Sequence, residues 1–169
     1  MKSEEEIANS HQYLTFNLGG EIFAFDINSI REVIDYADIT RVPRLADHLC
    51  GVINLRGNVV SVMDLRLKLG MEATIKTEEV CIVVVEIDLE GEMVQMGVLA
   101  DSVREVIYLN PSNIDRPPKM GTRLHSKYIR GIGRYKDDYL IILHIDRILA
   151  LDDNVRSSGE PEDGSKKIE

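Results

Sequence analysis

The residues best suited to nucleophilic or metal chemistry are four histidines, His11, His48, His125 and His144, and two cysteines, Cys50 and Cys81. Their spacing supports neither use. No acid–His interval recurs, and the cysteines form no Cys-x-x-Cys pair and no disulfide framework. Each cysteine borders an apolar run, which fits a buried free thiol. Ser61 and Ser102 lack the strand–turn–helix elbow of a hydrolase nucleophile. Gly131-x-Gly133 lacks the helix start that a phosphate-cradling loop needs. Asp137-Asp138 falls between two apolar runs and reads as a solvated turn rather than a cation site. The expectation is a protein with no catalytic residues, no metal and no cofactor.

The segment from Gly51 to Arg66, Gly-Val-Ile-Asn-Leu-Arg-Gly-Asn-Val-Val-Ser-Val-Met-Asp-Leu-Arg, is the most specific stretch of the chain. Two apolar runs flank Arg56-Gly57-Asn58, so a hairpin is expected with Arg56 in its turn. A guanidinium there has two readings: it is simply solvated, or it offers a planar pair of donors to a partner. The residues alone leave both open.

Other elements must position that turn. Residues 24–34 and 97–107 carry the same pattern. Ser29, Arg31, Glu32, Val33 and Ile34 recur as Ser102, Arg104, Glu105, Val106 and Ile107. A weaker echo links Gly51–Lys68 with Gly131–Leu149. Two like halves point to two small modules with intermixed chain segments. Strands are expected at Tyr13–Leu18, Ile22–Ile27 and Ile30–Tyr36, then at Gly51–Leu55 and Val59–Met63. The second half repeats the plan at 79–89, 93–100, 103–109, 128–135 and 139–145. Gly19-Gly20 and Glu90-Gly91-Glu92 make hairpin turns. A short helical turn is expected at 45–49, and 110–123 reads as a long polar connection. Asp64–Leu69 alternates at period two, yet Asp64 suits an N-cap and Gly70 a C′ position, which favours a short helix. Residues 146–151 follow suit. Many short strands at regular spacing predict an all-β fold, either two small barrels or a sandwich.

Composition agrees. Trp is absent and aromatics are 5% of 169 residues, so the core rests on Val, Ile and Leu. Of the net charge of −9, residues 1–10 hold −2 and 152–169 hold −3, which leaves −4 for 11–151. Residues 1–10 are expected to be flexible, and 152–169 to be a disordered acidic tail dispensable for folding. Without a Lys/Arg cluster, nucleic acid is not an expected partner. Neither a signal peptide nor an 18-residue apolar run is present, so direct membrane insertion is not expected and a cytoplasmic location is.

Gly-Val-Ile-Asn-Leu-Arg-Gly at 51–57, followed by a valine strand and Asp64-Leu65-Arg66, resembles the chemotaxis coupling protein (CheW) family. Phe25-Asp-Ile ahead of Ile30-Arg-Glu-Val, the strand pair over 98–106, and Tyr128-Ile-Arg-Gly-Ile-Gly133 extend the likeness over residues 11–151. The resemblance implies two five-stranded β-barrel subdomains side by side with short helices. It implies a stand-alone, non-enzymatic scaffold coupling the cytoplasmic tips of methyl-accepting chemoreceptors to the regulatory domain of the chemotaxis histidine kinase, in receptor arrays at the inner face of the membrane. An adaptor of a non-chemotaxis array with its own kinase is the alternative. By motif match Arg56 takes the receptor-binding arginine's place, and Glu32 that of the acid that pairs with it. Ile27, Ile30, Gly51 and Gly57 match positions lining the groove between the barrels where receptor tips dock. Kinase contacts are expected at a barrel end. The loop from Arg116 to Met120 is the candidate by position alone.

Overall fold

The computed structural model describes residues 11–43, 46–117 and 126–150. The expectations for the N-terminal segment 1–10, for Leu45, for Met120 and His125, and for the acidic tail lie outside the described residues.

Among the described residues, eleven strands, two one-turn helices and three 3-10 turns make up the fold. The first half contains β1 (His11–Leu18), β2 (Glu21–Asp26), β3 (Ile30–Asp35), β4 (Leu49–Leu55), β5 (Asn58–Asp64) and α1 (Leu65–Lys68). The second contains β6 (Cys81–Leu89), β7 (Glu92–Ala100), β8 (Ser102–Leu109), β9 (Ile114–Asp115), β10 (Ile129–Tyr135), β11 (Asp138–Leu143) and α2 (Ile145–Ile148). They build two sheets, one ordered β8-β1-β2-β11-β10-β9 and the other β3-β6-β7-β5-β4. The two halves exchange strands. Each sheet takes its opening hairpin from one half and its remaining strands from the other. Parallel pairings of β2 with β11 and of β5 with β7 join the halves, as do the antiparallel pairs β1–β8 and β3–β6.

Both sheets curl back on themselves. In the five-stranded sheet β3 and β4 lie at opposite ends. Thr40, just beyond β3, donates to Val52 O at 2.8 Å and accepts from Val52 N at 2.9 Å. In the other sheet the chain leaves β8, makes a 3-10 turn at Pro111–Asn113 and returns as β9 against β10. The two expected barrels are thus present as curled sheets of five and six strands. The sixth strand, β9, corrects the reading of 110–123 as a plain polar connection.

The core falls into three apolar clusters, and the strand pleat explains why. On β6, Ile82 and Val84 point into the five-stranded sheet with Ile53, Val60, Val62 and Leu99. The alternate residues Val83, Val85 and Ile87 point the other way, against Phe16, Phe23, Phe25 and Leu18 of the six-stranded sheet. That shared cluster also takes in Leu65, Ile145 and Ile148 from the helices. Tyr13, Ala24, Ile107, Leu109, Leu140 and Ile142 fill the six-stranded sheet. A strand buried on both faces needs an unbroken apolar run, and Cys81-Ile-Val-Val-Val is one.

The helix reading of Asp64–Leu69 holds. The Asp64 carboxylate accepts from Arg66 N at 3.1 Å, and Gly70 closes the turn at φ +83°. Asp64 is buried and also takes Thr74 N and Oγ1 at 2.9 and 2.8 Å, which fastens the connection to β6. β2 ends one residue early, at Asp26, because its carboxylate accepts from Asn28 N and starts a 3-10 turn over Ile27–Ser29. In the second half His144, expected within a strand, is the N-cap of α2.

An ionic tie spans the sheets. Asp101 lies where the chain crosses from β7 to β8. It accepts Arg66 Nε at 3.0 Å, Arg66 Nη2 at 2.7 Å and the Gly19 N–H at 2.8 Å. The Arg66 hydrogen bonds hold its carboxyl below the usual range, the Gly19 N–H adding to them. A depressed carboxyl stabilises the fold in full above the unfolded-state pKa, near 4, and that contribution fades as pH falls through the lower native value. Asp101→Asn should therefore destabilise the protein at pH 7 by about 1 kcal/mol, allowing for partial exposure. The gap should close as pH falls below about 4. Urea melts across that range check it, and a gap that stays constant would contradict the assignment.

Candidate functional site

The β4–β5 turn is a two-residue hairpin loop of the type whose twist matches that of its strands. Arg56 sits at φ +51° and Gly57 at φ +87°. Leu55 and Asn58 close the ladder on either side. The Asn54 side-chain oxygen accepts from the Gly57 N–H at 2.8 Å.

From this turn Arg56 reaches over the seam of the curled sheet to Glu32 on β3. Nη1 donates to Oε2 and Nη2 to Oε1, both at 2.7 Å. This is the two-pronged geometry that arginine favours with carboxylates. The hydrogen bonds from Arg56 hold the Glu32 carboxyl below its ordinary value, and those to Glu32 keep the guanidinium protonated. The Arg56 side chain stays 69% exposed and that of Glu32 28%. Arg56 is thus fixed in direction yet open to solvent, with its remaining N–H groups available to a partner.

The other expected site residues occupy three places. Gly57 shares the turn with Arg56, and a Cβ there would meet nothing within 4 Å. Gly51 is buried on β4 at a bulge in the β4–β5 ladder, at φ +145°. A Cβ at Gly51 would come within 2.1 Å of Thr40 O, so closure of the seam itself requires glycine there. Gly131 stands at the matching bulge of β10, against Ile114 and Asp115. Ile27 and Ile30 are half-buried where the chain passes from β2 to β3, and both pack against the cluster shared by the two sheets. A bulge separates Ile30 from Glu32 in the β3–β6 ladder. Arg116 is exposed beyond β9.

Arg66 and Asp101 were missed by sequence reasoning, and 35 positions separate them. The Asn54 cap carries a readable signal. Asp88-Leu-Glu-Gly91 repeats the pattern of Asn54-Leu-Arg-Gly57: Asp88 accepts from the Gly91 N–H at 2.8 Å, and Glu90 sits at φ +54°.

The cysteines do not form a reactive centre. Cys81 is buried, and burial with the nearby Asp64 charge pushes the half-buried Cys50 thiol up to about 11. Among the described residues no group of three or more His, Cys, Asp or Glu gathers as metal ligands would. No helix among them is long and apolar enough to cross a membrane.

Two strand-exchanged sheets with an ion pair clasped across one seam define a β scaffold that presents a preset arginine. Comparison with known proteins agrees with that architecture. The CheW-like domain matches residues 12–153. The chemotaxis protein CheW of Klebsiella aerogenes is 32% identical over 152 residues, covering 87% of this chain and 89% of the relative. That of Helicobacter pylori is 31% identical over 141 residues, covering 83% and 82%. The crystal structure of the scaffolding protein TtCheW from Thermoanaerobacter tengcongensis superposes with a TM-score of 0.74 at 28% identity, covering 88% of this chain and 90% of that one. The chain belongs to the CheW-like domain family.

Proposed function

We propose that this protein is a non-catalytic adaptor that couples chemoreceptors to the chemotaxis histidine kinase, in the cytoplasm at receptor arrays. The observation that carries the reading is the clasped, exposed Arg56, at the position of the family's receptor-binding arginine. Glu32 is its internal partner, Ile27, Ile30 and Gly57 belong to the surface a receptor tip would meet, and the buried Gly51 supports that surface by closing the seam against Thr40. Relatives that align over four-fifths of the chain are chemotaxis proteins, which favours this array over a non-chemotaxis one. For the kinase, Arg116 and Met120 are proposed contacts by position.

Calorimetric titration tests the reading. Separate saturable isotherms are expected with a soluble receptor cytoplasmic fragment and with the kinase regulatory domain from the same cell. Absence of binding to both would overturn it. Mg-ATP should give no saturable heat, since the segment nearest to a phosphate loop, Gly131–Gly133, lies inside β10.

A further inference from the structure

We infer that Asn54 is a positioning residue of the docking hairpin: its side chain sets the left-handed turn from which Arg56 reaches the partner. The inference rests on the receptor-binding reading of Arg56.

Arg56 needs two things to present its guanidinium. Its side chain is held by Glu32, and its backbone must remain at φ +51°, a region that a non-glycine residue occupies at a cost. Asn54 supplies what holds the backbone there, by accepting from the Gly57 N–H at 2.8 Å. Asn and Asp readily make such local bonds to backbone N–H groups in turns.

The rest of the molecule offers two comparisons. The β6–β7 turn lies at the same end of the sheet, contains no receptor-matched residue, and carries the same device. Asp88 caps Gly91, at φ +88°, behind Glu90 at φ +54°. The cap therefore belongs to the turn and not to any one partner. The β10–β11 turn is the repeat counterpart of the Arg56 turn. Lys136 takes the left-handed conformation there, at φ +56°, in the place of Arg56. Arg134 stands where Asn54 would, and it points elsewhere, donating to Ser112 O at 3.1 Å and pairing with Asp115 at 3.4 Å. Asp137 replaces the glycine. Of the two repeat-related hairpins, only the one with the clasped arginine has an Asn cap and a glycine.

The test is a double-mutant cycle on binding to a soluble receptor cytoplasmic fragment. Loss of one side chain–backbone hydrogen bond lowers the equilibrium constant for the competent turn by about fivefold, and apparent affinity falls by at most that factor. Asn54→Ala should therefore bind about two- to fivefold more weakly. Asn54→Asp, with the acceptor that Asp88 already uses, should retain most of the affinity. Added to Arg56→Ala, Asn54→Ala should cost nothing further, because both act through one guanidinium. In Asn54→Ala, NMR titration should move the Glu32 carboxyl back toward its ordinary value, a change that a remote loss of stability would not produce. If Arg56→Ala weakens binding and Asn54→Ala does not, or if the two effects multiply, the positioning role is overturned. If Arg56→Ala itself leaves binding intact, the receptor-binding reading fails first.

Discussion

Gly51→Ala should be among the most destabilising single-methyl additions in this protein. The new Cβ would lie 2.1 Å from Thr40 O and 2.8 Å from its carbonyl carbon, and both are backbone atoms that no rotamer change can move. The residue would also hold φ +145°, which L side chains rarely adopt. Relief requires β4 to pull away from Thr40, and that breaks the two hydrogen bonds closing the seam. Backbone strain of about 1–3 kcal/mol and two bonds of about 1 kcal/mol each put the loss at roughly 3 kcal/mol or more. The melting temperature should fall by on the order of 10 °C. Gly57→Ala is the control. It too has positive φ, but a Cβ there meets nothing within 4 Å, so only about 1 kcal/mol is expected. Thermal melts of the two variants decide it, and Gly51→Ala melting with or above Gly57→Ala would contradict the steric argument.

Arg56→Ala should have the largest effect on partner binding. Its guanidinium is exposed and held in place, the state in which an interface arginine loses least freedom on docking. Truncating an arginine at the centre of an interface commonly weakens binding by more than tenfold, and about thirtyfold is expected here for a receptor fragment. The fold should be nearly untouched, because an exposed ion pair contributes little to stability. The Thr40–Val52 pairing also remains to close the seam. Kinase binding should change little, since Arg116, a proposed kinase contact, lies beyond β9 of the other sheet. Surface plasmon resonance with each partner checks both statements. Unfolding of Arg56→Ala would make the residue structural, and normal receptor binding by a folded variant would remove it from the site.

The parts of the fold legible in the sequence are those written in local pattern. Alternating apolar runs and glycine turns mark the hairpins, Asp64 and Gly70 bracket α1, and the recurrence of Ser-x-Arg-Glu-Val-Ile marks two halves. The partners of each strand are less legible. The parallel pairs β2–β11 and β5–β7 arise from packing between segments far apart in sequence, and no local propensity specifies them. β9 was invisible because Ile114-Asp115 sits in a polar, proline-bounded stretch and becomes a strand only by pairing with Ile132 and Gly133. At the site, the pairing of Glu32 with Arg56 followed from the resemblance to the CheW family, whereas nothing in their spacing shows that β3 and the β4–β5 turn meet. Curling of the sheet brings them together. Gly51 was expected in the docking groove, and its contact with Thr40 gives it a separate duty in closing the seam.

The most direct test of the coupling role is a reconstitution of receptor-containing membranes with purified chemotaxis kinase, with and without this protein. Autophosphorylation of the kinase is followed as receptor ligand is added. Kinase output should respond to ligand only when the protein is present, and Arg56→Ala should greatly reduce that response. A response of equal size without the protein, or none with it while both partners bind, would contradict the account.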